Sequence, residues 1–296
     1  MLSFSSLISS LPGGIAQGII WGIMALGVYI TFRVLKESDL TVDGSFATGG
    51  AVAVMMIING INPIIALIVA FFAGVLVGIC TGLIHTKLKI PAILAGILVQ
   101  FGLYSINLHI MKMAANVSCN PTKFNVLLTM RKIPISIIIS LAIAVFLVAI
   151  LYWYFGTEQG SAIRATGNNN KMAIAQGINI NNMKVICFGL GNGLVALAGG
   201  LMAQFQGFAD INMGRGAIVI GLAAIIIGEV ISETIFKEGC SFYIRLSSVI
   251  FGGIIYYIIM VIILWLNIDS SDLKLATAII VMLCLAIPNL RKGGAK

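Results

Sequence analysis

A small set of polar side chains lies within long apolar segments of this sequence, and these residues are its main candidates for chemistry. Because a polar side chain is costly to bury in lipid, each must bond either a neighbouring helix or a passing solute. Asp43 is the most informative charge, since it precedes a glycine where its segment begins, although a carboxylate there could equally cap a helix N-terminus. The candidates for a path through a membrane are Asp43, Ser45, Thr48, Gln100, Asn107 and Asn192, and Gln204 has the same character.

Catalytic and nucleotide-binding motifs are absent from the sequence. It contains no GxxxxGK[ST] phosphate loop, no HExxH, no GxSxG and no pair of carboxylates at helical spacing in the middle of a span. The five cysteines and two histidines show no metal-ligand spacing, so we expect no metal site. The chain is therefore predicted not to be an enzyme, and any uphill transport would take its energy from a partner.

The composition identifies a membrane protein. The 296 residues are 59% hydrophobic and only 9% charged, with a mean hydropathy of +1.08. A soluble domain carries roughly 25% charged residues, so this chain could not cover a solvated surface. Long continuous apolar runs, such as 135–155, favour helices over the alternating segments of a β-barrel. We expect one transmembrane domain over residues 1–296.

The predicted fold is all-α, with about nine membrane-spanning helices. The second segment is predicted to be a broken helix, because Asp43 to Gly50 are rich in glycine and polar residues. Glycines repeat every four residues in the first, third and sixth segments, which predicts close helix packing, with helix sliding as the alternative. The spans are placed at 11–32, 42–60, 63–84, 91–110, 133–155, 184–206, 214–231, 246–266 and 273–289.

The orientation follows from the distribution of positive charge, because cytoplasmic loops retain Lys and Arg. Twelve of the 18 Lys and Arg residues fall on one side if the first helix enters from outside. This predicts an N-terminus outside and a cytoplasmic C-terminus. Glu229 and Glu233, near the inner end of the seventh segment, are expected to pair with Lys237 or Arg245 or to face a partner.

The longest inner loop, 156–183, is mixed in charge and rich in asparagine. One of Asn168 to Asn170 could cap a short helix, and Gly177 could end that helix in a left-handed turn. Such a helix is too short to span a bilayer and too polar to insert fully. A solvated connector is the alternative interpretation.

At this loop the sequence resembles the permease subunits of ABC importers in the branched-chain amino acid and ribose group. Two further stretches resemble the branch of the family that imports aromatic or other amino acids, namely Asp39 to Phe46 and Leu88 to Pro91. The resemblance covers nearly the whole chain. The residues that carry it are Ile163, Arg164, Ala165, Thr166, Gly167, Asn168, Ala173, Gly177, Ile178 and Asn179, then Ala196 to Gly200, Gly214 and Gly228.

The resemblance implies a permease of the bacterial inner membrane that dimerises, more readily with itself than with a different subunit. It would engage two cytoplasmic ATPase subunits, which hold ATP and Mg²⁺, and receive a solute from an extracytoplasmic binding lipoprotein. The segment from Arg164 to Asn179 would be the coupling element. Ala173 and Gly177 would fit a groove on the ATPase, and Arg164 and Asn168 would hold the loop's shape. The coupling residues carried over are Arg164, Gly167, Asn168, Ala173, Gly177 and Asn179.

The outer loop at 111–132 is unusually basic for its side of the membrane. The positive residues behind the net charge of +8 are scattered among loops and biased toward the inner side. Topology and attraction to anionic lipid explain this charge, so we expect no nucleic-acid partner. We expect the outer loop to dock acidic residues of the binding protein. The residues predicted to do so are Lys112, Lys123, Arg131 and Lys132.

Three classes of function follow from these features. An ABC import permease for a small solute is favoured, with an amino acid ahead of a nucleoside or sugar. A self-powered secondary transporter or channel is the alternative, but paired intramembrane acidic residues are lacking. An intramembrane enzyme would need a catalytic dyad within the spans, and the sequence has none.

Overall fold

The structure, a computed structural model, describes residues 4–236 and 241–266 and the positions 275, 278, 279 and 282. Within these ranges the chain forms ten α-helices and two short strands. In chain order they are α1 Phe4–Tyr29, α2 Val42–Ile58, α3 Pro63–Lys87, α4 Ala92–Ile110, β1 Asn116–Ser118, α5 Ile133–Gly156, α6 Glu158–Asn168, α7 Asn170–Ala175, α8 Ile180–Gln206, β2 Phe208–Asp210, α9 Ala217–Phe236 and α10 Phe242–Trp265.

The multi-pass helical fold agrees with the sequence prediction. Six helices of the described ranges, α1, α3, α4, α5, α8 and α10, are long and apolar enough to cross a bilayer. Eight of the predicted segments coincide with helices, since α2 and α9 also lie where segments two and seven were placed. The ninth, at 273–289, lies almost wholly outside the described residues, so the count of nine stays a prediction.

Helices α1 and α8 form the centre of the bundle. About 83% of the most apolar stretch of α1 and 78% of that of α8 are buried, against 22% for α4 and α5. Helix α8 packs on α1, α2 and α3, and α1 packs on α9 and α10. The exposed apolar faces of α3, α4 and α5 are therefore the surfaces available to lipid or to another chain.

Glycines bring the central helices close together. Gly14, Gly18 and Gly22 of α1 all face α10, and a Cβ at Gly18 would lie 2.7 Å from the Cα of Ile254. The stripe on α3 meets α8 in the same way, because a Cβ at Gly78 would overlap the carbonyl of Phe188. The predicted role in close packing is confirmed.

Helix α2 is continuous, so the predicted break within it is wrong. It runs from Val42 to Ile58 without interruption, and its glycines pack against neighbouring backbone instead of unwinding the helix. The Thr48 hydroxyl donates to the Gly44 carbonyl at 2.9 Å, which satisfies a polar side chain inside the helix. With 17 residues the helix is about 25 Å long, which is short for a full span.

The polar interruption lies just before α2 instead. Helix α1 ends in one π-helical turn, Ile30–Val34, and residues 35–41 form a non-helical connection. Gly96 of α4 lets this connection approach closely, since a Cβ there would lie 2.8 Å from the Leu40 nitrogen. The connection thereby carries Asp39 and Thr41 into the buried interior of the bundle.

The bundle has two ends that differ in structure. At one, which we call the α7 end, α6 and α7 cross between α5 and α8. At the other, the ribbon end, β1 pairs with β2 in antiparallel register, with Asn116 opposite Asp210. These two strands are an exception to the all-α prediction, because three-residue strands in a polar loop give no clear alternation.

Candidate functional site

A buried polar network joins the α1–α2 connection to α8 and α3. The Asn192 amide donates to Asp39 Oδ2 at 2.6 Å, and Ser45 Oγ donates to Asn192 Oδ1 at 2.6 Å. The Thr41 nitrogen donates to Asp39 Oδ1 at 2.8 Å, and the Thr41 and Thr81 hydroxyls are 2.9 Å apart. Burial raises the pKa of the Asp39 carboxyl, which these hydrogen bonds partly offset. Ser45 and Asn192 could each bond a neighbouring helix or contact a solute. Their hydrogen bonds are those of helix-to-helix bonding.

Asp43 caps a helix other than its own. Its carboxylate accepts hydrogen bonds from the backbone nitrogens of Gly216, at 2.9 Å, and Ile218, at 3.1 Å, at the start of α9. The negative charge also lies at the positive end of the α9 dipole. Close approach depends on Gly214, where a Cβ would overlap the Asp43 carbonyl. Asp43 therefore fixes where α9 begins relative to α2.

A cavity of about 530 Å³ lies beside this cap, between α2, α4 and residues 211–215. Three of the six residues proposed for a path line it, namely Asp43, Gln100 and Asn107. The Asn107 side chain is buried, and its Oδ1 has no hydrogen-bond partner among the described residues. The other lining residues are Gly44, Ala47, Ile97, Phe101, Tyr104, Ile211, Asn212 and Arg215.

Two further polar side chains of the spans serve the structure. The Thr48 hydroxyl bonds within α2, as described above, and is buried away from the cavity lining. Gln204 Oε1 accepts a hydrogen bond from the Leu127 nitrogen at 2.9 Å, which ties α8 to the loop that precedes α5. Both residues therefore bond protein groups, the alternative to a solute contact.

The α7 segment has the helix ends that its sequence predicts. Asn169 is the N-cap, with its Oδ1 accepting from the Met172 nitrogen at 3.1 Å. Gly177 follows the helix at φ +79°, a left-handed conformation that suits glycine. The Gly177 and Ile178 nitrogens bond the Ile174 and Ala173 carbonyls at 2.9 and 3.0 Å, which completes a Schellman turn.

Ala173 faces the interior of the protein, so the prediction that it fits a partner's groove is wrong for this conformation. Its side chain is 2% exposed, because the short helix turns that position onto the bundle. Met172 and Ile174, on either side, are 61% and 57% exposed. The apolar surface that α7 offers to a partner is made by these two residues.

The remaining residues of the predicted coupling element shape the loop. Gly167 lies against α1, since a Cβ there would overlap the Val34 carbonyl. The Arg164 guanidinium lies 5.9 Å from the centre of the Phe242 ring, within cation–π range. Asn179 caps α8 by accepting from the Asn182 nitrogen at 3.2 Å, whereas Asn168 is exposed and ends α6.

The four cations predicted to dock a partner are all exposed at the ribbon end. Lys112, Lys123, Arg131 and Lys132 lie on the segment that joins α4 to α5. The α4–α5 segment is held in place by the β1–β2 pairing and by the Cys119 nitrogen, which donates to the Gly207 carbonyl at 2.8 Å. A partner at this end therefore meets positive charge on an anchored loop.

Two features of the structure were missed at the level of sequence. Arg215 lines the cavity, and its only signal is its place between Gly214 and Gly216, immediately before an apolar run. Glu229 pairs with Arg33, at 2.5 and 2.9 Å, whereas the expected partners were Lys237 and Arg245. Arg33 is 196 residues away in sequence, and Lys237 lies outside the described residues.

The chain thus combines a cavity lined in part by polar side chains with a bundle of bilayer-length helices. A family model described as "Branched-chain amino acid transport system / permease component" matches residues 10–286. The chain therefore belongs to this permease family, and it is the permease component of an ABC importer system.

Individual relatives agree with this assignment. The chain is 39% identical over 274 residues to the tyrosine transport system permease protein of Clostridioides difficile (strain R20291), covering 93% of this chain and 90% of that one. It is 27% identical over 212 residues to the ribose import permease protein RbsC of Escherichia coli (strain K12), covering 70% and 64%. A solved structure, PsaBC from Streptococcus pneumoniae in complex with Fab, shares the fold, with a TM-score of 0.53, 16% identity and 95% coverage of each chain.

Proposed function

We propose that this permease carries an amino acid, aromatic or branched-chain, past the cavity beside α2 and α4. The observation that carries the proposal is the lining of that cavity, which combines the Asp43 carboxylate, the Arg215 guanidinium and the rings of Phe101 and Tyr104. A zwitterionic amino acid presents an ammonium to the first, a carboxylate to the second and an apolar side chain to the rings. The name of the Clostridioides relative, a tyrosine transport permease, points to the same class of solute.

Two ATPase subunits would bind at the α7 end and supply the energy. Met172 and Ile174 are exposed on a capped helix of six residues. Two such apolar side chains could pack into a groove on the ATPase. The sequence has no phosphate-binding loop, so ATP and Mg²⁺ would be held by the partner and this chain would not itself be an enzyme.

The α7 end would then face the cytoplasm and the ribbon end the exterior, with the N-terminus outside and the C-terminus inside. The excess of Lys and Arg on the loops of the α7 end supports this orientation in a bacterial inner membrane. At the ribbon end, the four exposed cations Lys112, Lys123, Arg131 and Lys132 would meet acidic residues of a binding lipoprotein.

A second copy of the chain would complete the path. The cavity is flanked by the outward face of α4, where Phe101 is 75% exposed, so its open side is covered by no other part of the described chain. A symmetric dimer would place two such cavities about one axis. A homodimer is therefore preferred to pairing with a different subunit.

The solute is tested by reconstituting the permease, its ATPase and its binding protein in vesicles and measuring uptake. We expect ATP-dependent uptake of tyrosine, phenylalanine or leucine, and a tenfold or greater loss in Arg215→Gln. Lys87→Gln, which removes an exposed positive charge at the α7 end, is the matched control and should transport normally. Uptake of ribose alone, or uptake driven by an ion gradient without the ATPase, would refute the proposal.

The coupling contact is tested separately by copurification with the ATPase. Met172→Asp combined with Ile174→Asp places charge on the exposed surface of α7 and should abolish recruitment, while Lys171→Gln on the same helix should not. Undiminished recruitment by the aspartate variant would show that the ATPase binds elsewhere.

A further inference from the structure

A second cavity, of about 560 Å³, lies at the α7 end, between the end of α1, α6 and the start of α10. It lies at the opposite end of the bundle from the ribbon and is separate from the cavity beside Asp43. Half of its lining residues are cations. The lining consists of Tyr29, Arg33, Val34, Lys36, Arg164, Asn168, Phe242 and Arg245.

The positive charge of this cavity is not balanced within the described residues. Arg33 pairs with Glu229, whose side chain is 21% exposed. Lys36, Arg164 and Arg245 have no acidic partner in the part of the chain that the structure describes. These three exposed cations around one cavity form a positive patch that attracts an anion.

Two of the cations are held in place before any ligand arrives. The Arg33 guanidinium is held by the two hydrogen bonds that it donates to the Glu229 carboxylate, and the Arg164 guanidinium lies over the Phe242 ring. Fixed guanidinium groups lose little entropy on binding and donate in pairs to an oxyanion.

The depth of the cavity is that of the membrane surface. It lies where α1 ends and α10 begins, and Tyr152 and Tyr243 make an edge-to-face ring contact nearby, with centroids 6.0 Å apart. Tyrosines at the ends of spanning helices are typical of the headgroup region. Phosphate is the oxyanion that is most abundant at the headgroup level of a membrane, and guanidinium groups bind it in pairs.

From these observations we propose that the cavity between α1, α6 and α10 binds the phosphate group of an anionic ligand, supplied either by a phospholipid headgroup or by a soluble phosphate compound. Lys36 and Arg245, which carry no part of the proposed transport or coupling machinery, are the residues to change. The argument uses neither the proposed solute nor the proposed ATPase contact at Met172 and Ile174, and the test leaves Arg164 and Asn168 of the predicted coupling element unchanged.

The test compares Lys36→Gln/Arg245→Gln with a matched control, Lys87→Gln/Lys89→Gln, which removes two exposed positive charges from the same end. Purified, delipidated permease is titrated with phosphatidylglycerol, with phosphatidylcholine and with AMP, and binding is followed by native mass spectrometry. We expect the wild type and the control to bind phosphatidylglycerol or AMP equally, and the cavity variant at least tenfold more weakly. Phosphatidylcholine, which has no net charge, should bind weakly to all three.

The two sources of phosphate give different results. A lipid site binds phosphatidylglycerol and is not displaced by millimolar AMP, whereas a soluble-ligand site binds AMP in lipid-free detergent and raises the melting temperature. If the double variant is not monodisperse, Lys36→Gln alone, at an exposed position, takes its place. Equal binding of phosphatidylglycerol and AMP by all variants would overturn the proposal. Loss of ATPase recruitment by the cavity variant, with its phosphate binding intact, would also overturn it.

Discussion

The hydrogen bond from Asn192 to Asp39 gives the sharpest test of the fold. The variant Asn192→Ala removes one of two donors to a buried carboxylate and leaves the Ser45 hydroxyl without its acceptor. A hydrogen bond to a charged group contributes about 1.5–3 kcal/mol and a neutral one about 1 kcal/mol. We therefore expect a loss of about 3 kcal/mol in the free energy of unfolding, which lowers the melting temperature by about 6–12 °C.

The loss should also depend on pH. Burial raises the pKa of the Asp39 carboxyl and the Asn192 bond lowers it, so the variant raises this pKa further. A carboxyl with a raised pKa in the folded state destabilises that state as the pH rises through the pKa. The variant should therefore lose more stability at pH 8 than at pH 5, where a larger share of Asp39 is protonated.

Thermal unfolding in detergent at the two pH values measures both effects. Ser45→Ala is the control, because it removes the neutral hydrogen bond only and leaves the Asn192 donor to Asp39 in place. It should cost about 1 kcal/mol at both pH values. A shift below 1 °C for Asn192→Ala, or a shift of equal size at pH 5 and pH 8, would refute the reasoning.

Three further predictions concern other elements. Gly214→Val should abolish monodisperse elution on size exclusion, because the new side chain would overlap the Asp43 carbonyl. Gly102→Ala is the control and should elute as the wild type does, because the space around Gly102 is open. Asn169→Ala removes the N-cap of α7 and should weaken ATPase binding about fivefold in a titration, equivalent to about 1 kcal/mol. Arg33→Gln should lower stability by less than about 1 kcal/mol in thermal unfolding, since that side chain is 52% exposed, and a larger loss would contradict the assignment of a surface ion pair.

The sequence predicted the helices well because their signal is local. Apolar runs of spanning length, glycines at intervals of four and the capping residues around α7 all act within a few residues of where they lie. The same locality explains the error in α2. Glycine and polar residues between 43 and 50 resemble a helix break, but they are satisfied by contacts with α8 and with residues 213 and 214, which lie far away in sequence.

The candidate site was only partly predictable for the same reason. Asp43, Gln100 and Asn107 could be selected as polar residues in apolar segments, and they do line one cavity. Selection by type could not separate them from Asn192, which bonds Asp39 instead. Arg215 was missed because the segment before α9 packs beside the start of α2. No local sequence pattern predicts that long-range contact.

The placement of the acidic residues accounts for the excess of positive charge at the surface. Two carboxylates inside the bundle, Asp39 and Asp43, are satisfied by backbone nitrogens and an amide, without a cation. Two others, Glu37 and Glu229, are bound to Lys184 and Arg33 at the α7 end. The sequence has 18 Lys and Arg residues and only ten Asp and Glu, and cations at both ends have no acidic partner among the residues that the structure describes. Those cations are exposed where lipid phosphate and the acidic partner proteins proposed above would meet them.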